Sequence, residues 1–400
     1  METRTRAGPP TRHAPRLSEQ AAGRLLADAC ARAGATLLDH RLRSIHHRGH
    51  RSVSHVHDVD LWADGSVRRV LLVLHADAGP LPAKAMALTS EGGRVAVWRF
   101  PHDPYLPDLG PAVDLHRVRR LLDHLGVGPG KVGLRTRVYR PTRRAVVEVT
   151  VTGGDGTRRA LYLKVLPGDR ARAVADRHRE LAAHAPVPAV VGVSSTGGTV
   201  VLDALQGRTL RDALADGDPV PEPAEIVAVS RRLMDSGLRS DRSPRAFADP
   251  ARHVARLCEL VPEEAETVRA VARAAGDIEA GETVVHGDLH AGQLLVRDGH
   301  LTGLLDVDGA GTGLLAHDAG SLVAYLRVLG ELRPRATVRI EDYADRISEA
   351  YTPLVGARGL ARATAGAWLA LATSAHRSQE PGWPATTKSR IARAAASLEA

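Results

Sequence analysis

Residues 283–311, TVVHGDLHAGQLLVRDGHLTGLLDVDGAG, set three short apolar runs between polar turns, inside a half of the chain that is otherwise helical in pattern. Each run is too short for a helix and reads as a buried strand. The later two form a hairpin. Upstream the pattern is mostly period-two, so strands come first and helices follow. That order predicts an α+β protein; alternating βαβ units and a parallel sheet are not expected.

The first half divides into two sheet-bearing units. LSEQAAGRLLADACARAGAT (17–36) has the spacing of an amphipathic helix. SVSHVHDVDLW, the turn ADG and VRRVLLVLHAD predict a hairpin, because Asp-Gly between alternating runs favours a tight turn. GRVAVWRF adds a third strand, so residues 40–110 are expected to form a small sheet with the first helix packed on it. VDLHRVRRLLDHLG, Val113–Gly126, is a helix stopped by glycine. LRTRVYRPTRRAVVEVTVTGGDGTRRALYLKVL then predicts three strands, with turns at RPTRR and GGDG. The two hairpins share a rhythm, with paired arginines ahead of an apolar run. On so short a match they are read as two ordinary hairpins rather than as a duplication.

A helix (DRARAVADRHRELAAHA) and two short strands (AVVGVSS, TVVLDAL) come next, then a mostly helical 209–275. Beyond the hairpin the chain is helical again, broken at SQEPGWP. The expected divisions are a disordered Pro/Arg-rich leader at 1–16, an accessory helix-plus-sheet module at 17–112, a strand-rich lobe at 113–205 and a helical lobe at 206–400.

Composition narrows the partners. The net charge is +8, but the arginines are scattered among acids and aromatics are only 3%, which leaves few stacking platforms for single-stranded nucleic acid. No nucleic-acid partner is expected. No run of eighteen apolar residues marks a membrane helix, so a cytoplasmic location is expected. Cys30 and Cys258 lie in helical patterns and read as reduced, buried thiols. The sequence leaves the oligomeric state, including a homodimer, open. Lysine occurs only at Lys84, Lys131, Lys164 and Lys388. Lys164 falls in the apolar strand ALYLKVL, where a buried ammonium needs a partner.

His286 and His290 are spaced as zinc ligands on a helix would be, but Gly287 stands where the zinc-protease motif needs Glu, and the run before it reads as strand. The histidines of HHRGHRSVSHVHD read as surface or sheet-face residues. A second reading uses the wider spacing. Phosphoryl transfer needs a carboxylate to orient and deprotonate the acceptor hydroxyl, oxygen ligands for Mg²⁺, and a lysine on the phosphates. Asp288 is followed five residues later by Gln293, and the hairpin then returns Asp306 to the same loop. Lys164 supplies the lysine. The helix after it offers Asp176 or Glu180 as the acid that pairs with Lys164.

With VVHGDLHAGQLLV, LTGLLDVDGAG and HDAGSLVAYL, the chain resembles the aminoglycoside phosphotransferase and choline kinase-like family over residues 130–380. The resemblance implies a protein-kinase-like bilobal fold with ATP or GTP and Mg²⁺ in the cleft. It makes Asp288 the catalytic base and Asp306 the main metal ligand. Gln293 stands where the family usually has Asn, a feature shared with the maltokinase branch. Asp308 becomes an accessory ligand or hydrogen-bond acceptor. Asp318 and His286 hold the catalytic loop. Arg143 and Arg144 lie in a glycine-free turn where a nucleotide-covering loop belongs, and backbone groups of Asp203 to Leu205 would read the adenine edge. The implied activity is transfer of a terminal phosphoryl group to a hydroxyl of a small molecule such as a sugar, amino alcohol or antibiotic. The alternative is an inactive kinase-like protein that binds a nucleotide or partner.

Overall fold

The computed structural model describes residues 17–48, 51–90, 93–128, 130–238, 247–278 and 281–399. The expected leader at 1–16 lies outside these. Helix α1 (Glu19–Arg32), capped by Ser18, packs its apolar face on a five-stranded antiparallel sheet. The strands are β1 (Thr36–Arg48), β2 (Ser52–Ala63), β3 (Ser66–Asp77), β4 (Met86–Ser90) and β5 (Gly93–Arg99), in the order β1-β2-β3-β5-β4. The sheet has two strands more than the sequence reading, because register shifts at Leu37/Asp39 and Leu42/Ser44 break the alternation of β1 and β4 is only five residues long.

After α2 (Leu109–Val113) and α3 (Leu115–His124) comes a second antiparallel sheet: β6 (Lys131–Arg140), β7 (Arg144–Thr152), β8 (Arg158–Val165), β9 (Val190–Val193) and β10 (Thr199–Asp203). Its order, β6-β7-β8-β10-β9, repeats that of the first sheet. The likeness therefore reaches beyond the two hairpins to whole sheets. The pairing places Lys164 between Val146 and Val200, and in the first sheet His75 between Ser54 and Ala96. One difference is that α4 (Arg170–Leu181) joins β8 to β9, whereas no helix joins β3 to β4.

The helical lobe begins with β11 (Arg208–Thr209), α5 (Leu210–Asp216) and α6 (Pro223–Met234), and continues through α7 (Val254–Leu260) and α8 (Ala265–Gly276). The site hairpin follows as β12 (Thr283–Val285), β13 (Leu294–Arg297), β14 (His300–Leu304) and β15 (Gly311–Gly313). Helices α9 (Leu315–Leu332), α10 (Thr337–Val355), α11 (Ala357–Arg377) and α12 (Trp383–Ala396) complete it. One core gathers around α9, α10 and the hairpin; another lies among α7, α8, α11 and α12. Helices α9 and α11 touch backbone to backbone at Gly320, where a Cβ would run into the Ala363 carbonyl carbon. Among the described residues no helix is long and apolar enough to cross a membrane. Both cysteines are free thiols; Cys30 is buried and Cys258 half-buried.

Candidate active site

The loop between β12 and β13 is fixed by one buried carboxylate. Asp318, in the first turn of α9 and 2% exposed, accepts the backbone N–H groups of His286 at 2.6 Å and Gly287 at 2.8 Å. Two charge-assisted bonds to neighbouring amides hold the loop where it turns, at Gly287 with φ +85°. The His286 ring pairs its Nε2 with the Leu305 carbonyl at 2.8 Å, and its Nδ1 accepts the Asp288 N–H at 3.3 Å. One neutral tautomer satisfies both contacts. Neither ring nitrogen is left for a metal, and His286 instead ties Asp288 to the strand that delivers Asp306. His290 accepts the Gly292 N–H on Nδ1 at 3.0 Å and lies against Tyr325, ring centroids 4.4 Å apart.

Asp288 Oδ1 is buried without a hydrogen-bond partner. Burial raises its carboxyl to about 6; Asp306 adds to the rise while His286, Arg140 and Arg144 oppose it. A carboxylate poised near neutrality, with one oxygen uncommitted, has the properties of a general base.

Asp306 sits at the end of the hairpin in the left-handed region, φ +57°. Lys164 Nζ, on a side chain 7% exposed, lies 2.6 Å from Asp306 Oδ1 and 2.5 Å from Asp308 Oδ2. Arg144 adds a bidentate contact to Asp306, at 3.0 Å to Oδ1 and 2.9 Å to Oδ2. Burial would raise the Asp306 carboxyl, but Lys164 and Arg144 outweigh it and hold the group far below the usual carboxylate range. Asp308 is lowered too: burial opposes, and Lys164 prevails with help from His178.

Three sequence expectations change here. The acid that pairs with Lys164 is not on α4. Asp176 points outward and pairs with Arg179 at 2.8 Å, and Glu180 is exposed. The side chains of α4 that face the site are Arg177, which donates to the Asp308 carbonyl, and His178, buried with Nε2 3.8 Å from Asp308 Oδ1. The helix phase relative to the sheet decides which residue faces inward, and no composition signal reveals it. Second, Arg144 meets a carboxylate of the site, while Arg143 stands exposed at the turn. Third, the backbone N–H groups of Asp203 and Ala204 are already bonded, to the Ala189 carbonyl at 2.8 Å and the Ala160 carbonyl at 3.1 Å. The Asp203 side chain pairs with Arg159. An adenine edge would therefore have to use carbonyls or the Leu205 backbone. Gln293 lies beside Asp306 with its amide nitrogen 3.5 Å from Oδ2.

The glycine-free turn has its own support. Pro141 and Thr142 occupy its corner, Thr142 takes φ +63°, and the Arg143 N–H closes it on the Arg140 carbonyl at 3.1 Å. Proline followed by positive φ is the type II pattern, usually completed by glycine. Here buried Asp103 accepts the Thr142 N–H at 2.9 Å and the Tyr139 hydroxyl at 2.9 Å, and that hydroxyl accepts from Trp98 of the first sheet at 3.0 Å. The accessory module thus sets the turn that carries Arg140, Arg143 and Arg144. Asp103 lies outside every motif, and nothing in its local pattern marked it.

These parts, the Asp288 loop, a hairpin carboxylate and a strand lysine between a sheet lobe and a helical lobe, form the cleft of a kinase-like bilobal fold. A model of the phosphotransferase enzyme family matches residues 145–353, just over half the chain. A search of curated proteins finds no match. Among solved structures the chain is similar to a thermostable mutant of aminoglycoside phosphotransferase APH(4)-Ia in ternary complex with AMP-PNP and hygromycin B. Identity is 16%, over 71% of this chain and 99% of that one, with a TM-score of 0.49. It is also similar to an aminoglycoside-3'-phosphotransferase of type VIII, at 20% identity over 62% and 97% of the two chains, with a TM-score of 0.42. For choline kinase from Cryptosporidium parvum Iowa II the identity is 10%, over 72% of this chain and 96% of that one, with a TM-score of 0.48. With the family model spanning both the Lys164 strand and the hairpin that bears Asp306, the chain belongs to the phosphotransferase enzyme family.

Proposed function

We propose that the protein moves the terminal phosphoryl group of ATP or GTP to a hydroxyl of a small molecule, with Asp288 as the base. The observation that carries this reading is the uncommitted, buried Oδ1 of Asp288 in the same cleft as the Lys164–Asp306–Asp308 cluster. The acceptor hydroxyl donates its hydrogen bond to that oxygen. As the acceptor oxygen bonds to the γ-phosphorus, the bond to the bridging oxygen breaks and its electron pair stays on the nucleoside diphosphate. The acceptor proton passes to Asp288. Lys164 and Arg144 offer the cations for the phosphates.

The site residues fit Mg²⁺. The ion takes hard oxygen donors, holds one or two carboxylates and fills its remaining positions with phosphates and water. It does not need a preformed cluster of three ligands, and among the described residues there is none. Asp308 Oδ1 is buried and unpartnered, so this carboxyl keeps an open acceptor beside Asp306. Asp306, with Asp308 or the Gln293 amide oxygen, would hold the ion, which supplies charge neutralisation on the phosphates. Turning the Gln293 amide over would aim its oxygen at that position.

A second reading, a nucleotide-binding protein without catalysis, is favoured by one feature: Arg144 covers both oxygens of Asp306. Calorimetry with ATP and Mg²⁺, followed by ADP release across a panel of hydroxyl compounds, separates the two. Binding with no turnover of any acceptor would overturn the phosphotransfer reading.

A further inference from the structure

Two properties of the turn between β6 and β7 stand against each other. It leads into Arg144, which contacts both oxygens of Asp306, yet it holds no glycine. Its corner residue, Thr142, takes φ +63°. Of the described non-glycine residues with positive φ, namely Asp64, Thr142, Asp298, Asp306 and Gln379, Thr142 alone is β-branched. The branch makes the left-handed region costly, so this corner holds its shape only where its surroundings impose it.

What imposes it comes from the accessory module. Asp103 follows β5 and is 3% exposed. Its Oδ2 accepts the Thr142 N–H and the Tyr139 hydroxyl, both at 2.9 Å, while its Oδ1 accepts the Tyr105 N–H at 2.9 Å. The carboxylate therefore grips the turn both before its corner and at it. Asp103 is itself pinned: its N–H donates to the Pro101 carbonyl at 2.9 Å, and its carbonyl accepts the Leu106 N–H at 3.1 Å. The Tyr139 hydroxyl accepts from Trp98 Nε1 at 3.0 Å, and the Tyr139 ring lies against Phe100, centroids 5.0 Å apart. Arg140 and Arg144 close the β6–β7 ladder as its last pair. Arg144 is two residues beyond Thr142, so the backbone angle at 142 sets where its guanidinium starts from.

We infer that Asp103 is a positioning residue for the nucleotide: by holding Thr142 left-handed it does for this turn what glycine usually does at such a corner, and so keeps Arg144 ready for the phosphates. Residues around Asp103 then belong to the working nucleotide site, although they touch neither nucleotide nor acceptor. If the turn is held in only a fraction of molecules, the apparent nucleotide affinity falls by that fraction. The inference rests on the proposed function for the role of Arg144, but its readout is nucleotide affinity and stands apart from turnover.

The test titrates the full chain with AMP-PNP and Mg²⁺ by calorimetry, with Tm measured alongside. Asp103→Asn keeps the shape of the side chain but turns one acceptor oxygen into a donor, so the N–H and hydroxyl donors around it cannot all be met. It should raise the Kd for AMP-PNP about tenfold. Adding Thr142→Gly to Asp103→Asn should recover most of that affinity, because glycine takes positive φ without steric cost. A merely structural Asp103 predicts the opposite, since glycine loosens the chain further and restores nothing. Tyr139→Phe keeps the ring and removes the hydroxyl; it should raise the Kd about threefold, and it decides alone if Asp103→Asn does not fold. The inference is overturned if the deciding variant binds AMP-PNP within about twofold of the parent, or if Thr142→Gly recovers nothing. Turnover with ATP is read separately. Weakened binding in the variants with no turnover of any acceptor by the parent sustains the inference and contradicts phosphotransfer. Turnover by the parent with affinity unmoved in the variants does the reverse, and a parent that does not bind AMP-PNP overturns both.

Discussion

Arg144 holds Asp306 through both guanidinium nitrogens, at 3.0 Å and 2.9 Å, and so stands on the carboxylate that the proposed mechanism assigns to the metal. Asp306 is anchored a second time by Lys164 at 2.6 Å. In this state the charges of Lys164, Arg144, Asp306 and Asp308 compensate one another inside the protein. On the proposed function, nucleotide binding requires Arg144 to exchange a carboxylate for phosphate oxygens, an exchange its planar fork accommodates. Arg144→Gln should raise the KM for nucleotide by about 10-fold to 100-fold, the worth of a charge-assisted hydrogen bond. A nucleotide KM unchanged or lowered in the variant would mean that Arg144 only blocks the site.

The lysine partners lead to a contrast between variants. Asp176 and Glu180 are exposed on α4, so Asp176→Ala and Glu180→Ala should leave activity within about twofold of the parent. Lys164→Met should remove nearly all of it, because it strips a buried ammonium from two carboxylates. A large loss in either alanine variant, measured as kcat/KM for nucleotide, would show that α4 moves inward when nucleotide binds.

Asp288 makes a pH prediction. Its carboxyl is raised from an ordinary 3.8 to about 6. The folded protein favours the protonated form, so the group's contribution to stability is fully present below about pH 4 and is lost as the pH rises through about 6. Two pH units correspond to about 3 kcal/mol. Asp288→Asn should therefore gain about that much relative to the parent between pH 4 and pH 8, read as diverging Tm values. A constant difference in Tm across that range would contradict the burial argument. In turnover, kcat/KM should fall about tenfold per pH unit below 6, where the base is protonated.

Asp318 carries the loop. Asp318→Ala leaves the His286 and Gly287 N–H groups buried without acceptors, and each such loss costs about 1–3 kcal/mol. The variant should unfold several degrees earlier and lose activity through kcat more than through KM for nucleotide. Normal thermal stability in this variant would show that the two amide bonds are replaced by water.

The residues readable from sequence were those whose neighbours in the chain are also their neighbours in space. Asp288, Gln293 and Asp306 lie on one short hairpin, and the strand lysine stood out because the chain otherwise writes arginine. The α4 assignment failed because residues 176–180 sweep all faces of a helix, and only packing on the sheet decides that His178 faces in. Strands β1 and β4 escaped notice because two register shifts break the alternation of β1 and β4 is only five residues long. Asp103 was invisible for a different reason: it meets Tyr139 and Thr142 only through the fold.

The most direct test of phosphotransfer by Asp288 is formation of a phosphate monoester from ATP and Mg²⁺ in a metabolite extract, followed by phosphorus NMR, with the parent protein beside Asp288→Asn. The parent should produce a new phosphorylated compound and ADP in equal amounts, and the variant should lower the rate about 100-fold or more while still binding nucleotide. Equal product from both proteins, or ATP consumed with no new ester, would contradict the account.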